Sequence, residues 1–211
     1  MMPTSGHIRR DIVQVCRHLY QRGFVVGTEG NVSVRVAPNR FWITPTGCHK
    51  GLLEPGDLLL IDLDGQVHFG LGQPSSEMPM HLALYMHRPD IVAVVHAHPP
   101  LATALTVAGY TLDSMLLPES VVALGEVPTI PYQMPTTLQF AHAVGEAMCD
   151  AEAVLLEQHG SVTVGASLQA AFNRMEIVER VAQIFYLAKT LGDVRRLPSV
   201  EIEALKALRG S

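Results

Sequence analysis

Val92-Ala93-Val94-Val95-His96-Ala97-His98 is an apolar, β-branched run that closes on two histidines one residue apart. Such a run predicts a strand. Side chains on a strand alternate faces, so His96 and His98 point the same way and can grip one metal ion together. A histidine pair is a common accident in a chain with ten histidines; its weight depends on what the flanking sequence supplies.

Immediately upstream, Ser75-Ser76-Glu77 opens a stretch to His87 in which Pro79 fits a first helical turn and Pro89 marks the stop. Two hydroxyls and several unpaired amides then sit at a helix N-terminus, a natural anion site. Downstream, Pro99-Pro100 leads into a helix over 101–107. Nearer the start, Ser5 can cap a helix with Ile8, Ile12, Val15, Cys16 and Leu19 at helical spacing and Gly23 beyond its end. Gly27-Thr28-Glu29-Gly30 then turns into Asn31-Val32-Ser33-Val34-Arg35-Val36, whose strict alternation predicts a half-buried strand. Pro38-Asn39 turns the chain into Phe41-Trp42-Ile43-Thr44, followed by Pro45-Thr46-Gly47. Pairing of these two strands brings Gly, Thr and Asn side by side.

The remaining chain alternates short elements. Residues 58–62 and 66–69 flank Asp64-Gly65 as a hairpin. Residues 116–124 are apolar apart from Glu119 and Ser120, and a short segment follows over 127–132. Thr136 or Thr137 caps a helix to about 148; strands over 153–157 and 161–164 flank a His159-Gly160 turn. Ser167 precedes a long helix through 191, apolar on more than one side, which Gly192 ends, and 197–208 forms a last short helix. Neither a repeat nor a linker interrupts this order, so residues 1–211 are expected to form one α/β domain with several hairpins.

Composition removes whole classes of function. Hydrophobic residues make up 48% of the 211, whereas charged residues reach only 17% against a usual value of about 25%. So thin a charged surface suits a chain that buries part of its exterior in an oligomer. The net charge of −5 comes with no Lys/Arg stripe to neutralise phosphates, which argues against nucleic acid. No apolar run has the length of a membrane span, and His7, Arg9, Arg10 and Asp11 break up the N-terminus, so a soluble, cytoplasmic protein without a membrane partner is expected. Cys16, Cys48 and Cys149 lack any C-x-x-C spacing and read as small buried hydrophobes.

A catalytic zinc needs three protein ligands and an open position. His96 and His98 supply two, and His159, held at a turn and followed by Gly160, is the best third. Glu77, at a helix start, can occupy the open position or act as a base.

These residues carry a family resemblance. Gly27-Thr28-Glu29-Gly30-Asn31-Val32-Ser33-Val34-Arg35, Ile43-Thr44-Pro45-Thr46-Gly47, Ser75-Ser76-Glu77, Val94-Val95-His96-Ala97-His98, Pro131-Tyr132 and Gln158-His159-Gly160 resemble, in order, the zinc-dependent class II aldolase/adducin family, its L-fuculose-1-phosphate aldolase branch in particular. The resemblance implies a three-layer α/β/α sandwich around a largely antiparallel sheet and a homotetramer. It implies that His96, His98 and His159 bind Zn2+, or Mn2+ or Co2+ in its place, with Glu77 as resting ligand and acid/base. Gly30, Asn31, Thr46, Gly47, Ser75 and Ser76, with Thr28 nearby, would hold the phosphate of a phosphorylated sugar. The composition agrees: with only Lys50, Lys189 and Lys206 as lysines, phosphate must be met mainly by amides, hydroxyls and a helix end. Schiff-base chemistry lacks a suitable amine.

Two departures stand out. Where the branch has a proton-donating tyrosine, this chain reads Ser114-Met115-Leu116-Leu117-Pro118-Glu119, and nothing aromatic follows Tyr186. Glu119 is the candidate substitute acid, with a surface carboxylate as its plainer reading. Tyr132 is expected to pack, Lys50 to face water, Arg35 to reach either a phosphate or water, and His81, His87 and His142 to be solvated or at an interface. Met78, Met80, Met86 and Met175 read as packing. The expected reaction is retro-aldol cleavage of a ketose phosphate to dihydroxyacetone phosphate and an aldehyde. A ketose-phosphate 4-epimerase, whose branch places Asp after the paired serines, is the alternative, as are a decarboxylase and a methylthioribulose-phosphate dehydratase. A non-enzymatic adducin-like module is disfavoured by the three histidines.

Overall fold

A computed structural model describes residues 5–208, without the side chain of Ser5; the capping role expected of Ser5 lies outside the described residues. The order is α1 (Ser5–Gln21), β1 (Asn31–Ala37), β2 (Arg40–Ile43), β3 (Leu59–Ile61), β4 (Val67–Phe69), α2 (Met78–His87), β5 (Ala93–Ala97), α3 (Pro100–Val107), α4 (Pro118–Ala123), β6 (Thr129–Ile130), α5 (Leu138–Ala147), β7 (Ala153–Leu156), β8 (Gly160–Gly165), α6 (Leu168–Leu191) and α7 (Ser199–Ala207). The strands form one eight-stranded sheet in the order β4-β3-β2-β1-β5-β8-β7-β6. Among the described residues only β6 pairs in parallel, with β7; every other strand pair is antiparallel.

Strand alternation divides the core into layers. Val94, Val154, Leu156, Val162 and Val164 face one way and pack with Met80, Leu84, Phe140 and Val144 of α2 and α5. Val32, Val34, Ala93, Val95 and Ala97 face the other way, against Ile12, Cys16 and Leu19 of α1 and Ala171, Phe172 and Met175 of α6. Farther along, Val178, Val181 and Ala182 of α6 cover Ala153 and Leu155 together with Ala102 and Leu105 of α3. The long helix therefore serves two clusters, as its broad apolar stripe predicts, while Tyr186, Leu187 and Leu191 in its last turns stay exposed.

Local chemistry sets the boundaries. Ser167 Oγ accepts from Ala170 N at the start of α6, and Thr137, with Thr136 left-handed before it, caps α5 by accepting from Phe140 N. Pro79 occupies the first turn of α2. Gly192 follows α6 with φ of 152°.

Several side chains depart from the sequence reading. Asn31 to Val34 of β1 are buried on both faces, because α2 covers the polar side that alternation had assigned to water. His81 is fully buried and Lys50 is 2% exposed. Cys149 and Met86 are exposed, and Tyr132 is half exposed rather than packed. Arg35 is half-buried, its guanidinium donating to Pro89 O at 2.7 Å and Tyr85 O at 2.5 Å, over the Tyr85 ring. No helix among the described residues is long and apolar enough to cross a membrane.

Candidate active site

The site lies where the apolar layer between the sheet and α2 turns polar. His96, in register opposite Asn31 and sharing the face of Val94, is completely buried. His98 falls just past the end of β5, its backbone N donating to Phe24 O at 2.8 Å. His159 comes from the β7–β8 turn, where Gln158 adopts φ of 55°. Gly160 is required there: a Cβ on it would stand 2.4 Å from Ala97 O and 2.7 Å from the His98 ring, so any side chain would pry β5 from β8 and displace a histidine.

The three imidazoles converge, with one nitrogen from each inside a 4.8 Å span. His96 and His98 approach Nε2 to Nε2 at 3.2 Å. Glu77 joins them from the residue before α2, its Oε2 3.2 Å from His96 Nε2 and its Oε1 3.4 Å from His159 Nε2. Outer contacts orient two of the rings, while His159 Nδ1 is buried without a hydrogen-bond partner. His96 Nδ1 donates to Ser161 O at 2.9 Å, and His98 Nδ1 lies 3.6 Å from Glu29 Oε2; such contacts from the outer nitrogen leave Nε2 for a metal.

Electrostatics favour a cation at this point. Burial raises the Glu77 carboxyl, but the charge and hydrogen bond of His96, with His159 and Asn31, outweigh it and hold Glu77 well below the usual carboxylate range. Burial, with the charge of His96, pushes His98 down to about 3 and His159 down to about 4. Burial also opposes the charge on His96, yet Glu77 raises it above an ordinary imidazole. Burial thus disfavours charge on His98 and His159, while the Glu77 carboxylate attracts positive charge, a combination that suits a divalent ion. Glu77 Oε1, buried and without a hydrogen-bond partner, is the atom such an ion would satisfy. Three imidazoles and one carboxylate form a donor set suited to a catalytic divalent metal.

A second set of residues adjoins the first. Thr46 N donates to Gln73 O at 3.0 Å, Ser75 N to Thr44 O at 3.2 Å, and Lys50 N to Gly27 O at 3.1 Å, lacing together the loops that carry Thr28, Gly30, Thr46, Gly47, Ser75 and Ser76. The Lys50 ammonium, satisfied by Thr28 O at 3.0 Å and Cys48 O at 2.9 Å, clamps two of these loops from beneath. That pairing is why it is not in water. Gly30, with φ of 68°, approaches β5 so closely that a Cβ would lie 2.8 Å from His96 O. Thr28, Thr46, Gly47 and Ser76 are exposed, whereas Ser75 is buried and its Oγ accepts from Glu77 N at 3.3 Å. Asn31 Nδ2 donates to Glu77 Oε2 at 2.8 Å and connects the two sets.

Glu119 stands apart. It is exposed on the first turn of α4, and among the described residues no recorded contact joins it to Glu77 or the imidazoles. The segment before it is occupied with packing: Ser120 Oγ donates to Ser114 O at 2.6 Å, and Met115 O accepts from Leu197 N at 3.0 Å. A cleft of about 870 Å³ between α1 and the start of α6 lies on the opposite side of the sheet and contains none of these residues. His81, which periodicity alone cannot separate from a surface histidine, lies beneath the site, 2.5 Å from Asn31. Its spacing of four from Glu77 is the signal that could have found it.

The family described as Class II Aldolase and Adducin N-terminal domain matches residues 10–186. An L-fuculose phosphate aldolase of Methanococcus maripaludis is 35% identical over 181 residues, 86% of this chain and 97% of that protein. A 3-oxo-tetronate 4-phosphate decarboxylase of Escherichia coli K12 is 35% identical over 206 residues, 95% of each chain. The crystal structure of YgbL from Escherichia coli superposes with a TM-score of 0.88 at 35% identity, covering 97% of this chain and all of that one. The chain belongs to the class II aldolase and adducin family and is an enzyme of it, a lyase.

Proposed function

We propose that this enzyme cleaves a carbon–carbon bond in a phosphorylated ketose, giving dihydroxyacetone phosphate and an aldehyde, with zinc, or Mn2+ or Co2+, held by His96, His98 and His159. The observation that carries the reading is the convergence of those imidazoles on Glu77 beside the laced loops. When bound, the metal supplies Lewis-acid polarisation of the substrate carbonyl, an effect worth several kcal/mol.

The protein's own groups divide the remaining work. Thr28, Gly30, Asn31, Thr46, Gly47, Ser75 and Ser76 bind the phosphate through hydroxyls and amides. As the bond breaks, its electron pair passes to the carbonyl-bearing fragment, and a proton must then reach that carbon. Glu77, a resting ligand displaced by substrate, moves that proton on Oε1. A second proton leaves the departing carbinol hydroxyl, for which Glu119 is the candidate acceptor if a neighbouring subunit or α4 itself brings it to the substrate. The whole chain would act as one domain in a cytoplasmic homotetramer, in keeping with its 17% charged residues.

Decarboxylation of a phosphorylated 3-oxo acid is the second reading, favoured by one specific feature. Loss of carbon dioxide requires no proton acceptor on the departing side, and residues 114–119 contain no tyrosine to serve as one. The relative named as a decarboxylase also covers 95% of this chain. Phosphorylated ketoses and 3-oxo acid phosphates assayed together, with dihydroxyacetone phosphate, carbon dioxide and epimer formation followed in parallel, separate the two. Release of dihydroxyacetone phosphate supports the first; carbon dioxide alone replaces it with the second.

A further inference from the structure

The polar side of β1 is joined to α2 by an unbroken line of hydrogen bonds ending at Glu77. Asn31 Nδ2 donates to Glu77 Oε2 at 2.8 Å, and Asn31 Oδ1 lies 2.5 Å from His81 Nε2. His81 Nδ1 lies 2.7 Å from Ser33 Oγ, which is 2.9 Å from the Tyr85 hydroxyl. All five side chains are buried. The line exists because Glu77, His81 and Tyr85, four residues apart, share one side of the α2 segment, while Asn31 and Ser33, two apart, share one side of β1.

Its direction follows from its end. An ionised carboxylate only accepts, so Asn31 presents its amino group to Glu77 and its carbonyl oxygen to His81. That oxygen needs a donor, which places the His81 proton on Nε2. The neutral ring then accepts at Nδ1 from the Ser33 hydroxyl; with that proton used, Ser33 Oγ at 2.9 Å is the nearer acceptor for the Tyr85 hydroxyl, Val92 O lying at 3.4 Å. Every donor points toward Glu77, and bonds aligned in one sense strengthen one another. The line engages Oε2 alone; Oε1 is buried with no hydrogen-bond partner.

We propose that His81 is a positioning residue: through Asn31 it fixes the Glu77 carboxylate so that Oε2 is held by the amide and Oε1 is the oxygen that works. The inference rests on Glu77 being the acid/base of the proposed reaction. Because Asn31 opens β1 directly after the turn over 27–30, the line also ties the base to the loop side of the site.

The first test needs no turnover. In full-length protein labelled with 15N-histidine, metal-free and loaded with zinc, His81 is expected to be neutral, with its proton on Nε2, and Ser33→Ala is expected to shift its Nδ1 resonance. A cationic His81, or a proton on Nδ1, reverses the line and overturns the proposal. The second test is kinetic. His81→Phe is expected to lower kcat about ten- to hundredfold with KM and zinc content unchanged. His81→Gln, which can still donate to Asn31, is expected to recover most of the loss. Undiminished kcat in His81→Phe, or no recovery in His81→Gln, overturns the assignment. Should His81→Phe fail to fold, Tyr85→Phe and Ser33→Ala test the far end, each with a few-fold expected loss of kcat at native zinc content; wild-type kcat in both overturns it. A wild-type enzyme that cleaves none of the substrates would remove the functional reading and leave the imidazole spectra to decide the orientation.

Discussion

One strand, β1, shows two treatments of the same alternating pattern. Val32 and Val34 sink into the apolar layer of α1 and α6. Asn31 and Ser33, on the other face, are just as buried but meet Glu77, His81 and Tyr85 of the α2 segment. Alternation therefore reports that two faces differ, and it does not report which of them, if either, meets water. A polar face can be buried when another element brings a matching polar stripe.

Perturbing the polar side at its metal end should have the largest effect. Stripping the metal with a chelator, or His159→Ala, is expected to abolish turnover and to reduce bound metal from about one ion per chain to a small fraction, read by elemental analysis. Full activity with no bound metal would leave the polar face a structural feature only. Next comes Glu77→Gln, expected to lower kcat by about 10² to 10⁴ while a phosphate-bearing ligand still binds, as calorimetry would report. Unchanged turnover would move the base elsewhere.

Smaller changes compare the two faces directly. Ser33→Ala should cost about 1–3 kcal/mol by stranding His81 Nδ1 without its donor, and should also slow turnover. Val32→Thr should cost a similar amount, about 1–3 kcal/mol, by burying a hydroxyl among apolar groups, with kcat per folded molecule intact. Urea midpoints together with kinetics decide this; equal kinetic effects would mean the faces are not separate in function.

The mildest probe is pH. Burial holds His81 down to about 3, His98 to about 3 and His159 to about 4 in the absence of metal, against an ordinary 6.5. Above about 6.5 these groups are neutral folded or unfolded and cost nothing. Below it the unfolded chain takes up protons that the folded one refuses, so stability falls toward pH 4, by up to about 1.4 kcal/mol per pH unit for each imidazole. Denaturant midpoints of the metal-free protein between pH 7 and 5 should fall accordingly, and more steeply with zinc bound, because the metal also keeps the proton off His96. A flat profile would place these rings in water.

Much of the site was legible from local signals. His96 and His98 stand out because a strand has a period of two, and His159-Gly160 because a turn between strands confines both residues. The cap of α6, the Pro79 start of α2 and the glycine turns were readable for the same reason: each is decided by neighbours within about four positions. His81 and Lys50 were misread because their partners, Ser33 and Asn31 for one and the Thr28 carbonyl for the other, lie 48, 50 and 22 residues away.

By itself, then, the sequence determined which residue types were present at spacings that strands, turns and helix ends convert into shared faces. The tertiary structure alone decided which faces meet. Burial of a polar group depends on the partner that replaces water, and for Asn31, Ser33 and His81 that partner is supplied by a different element of the sheet-and-helix layer.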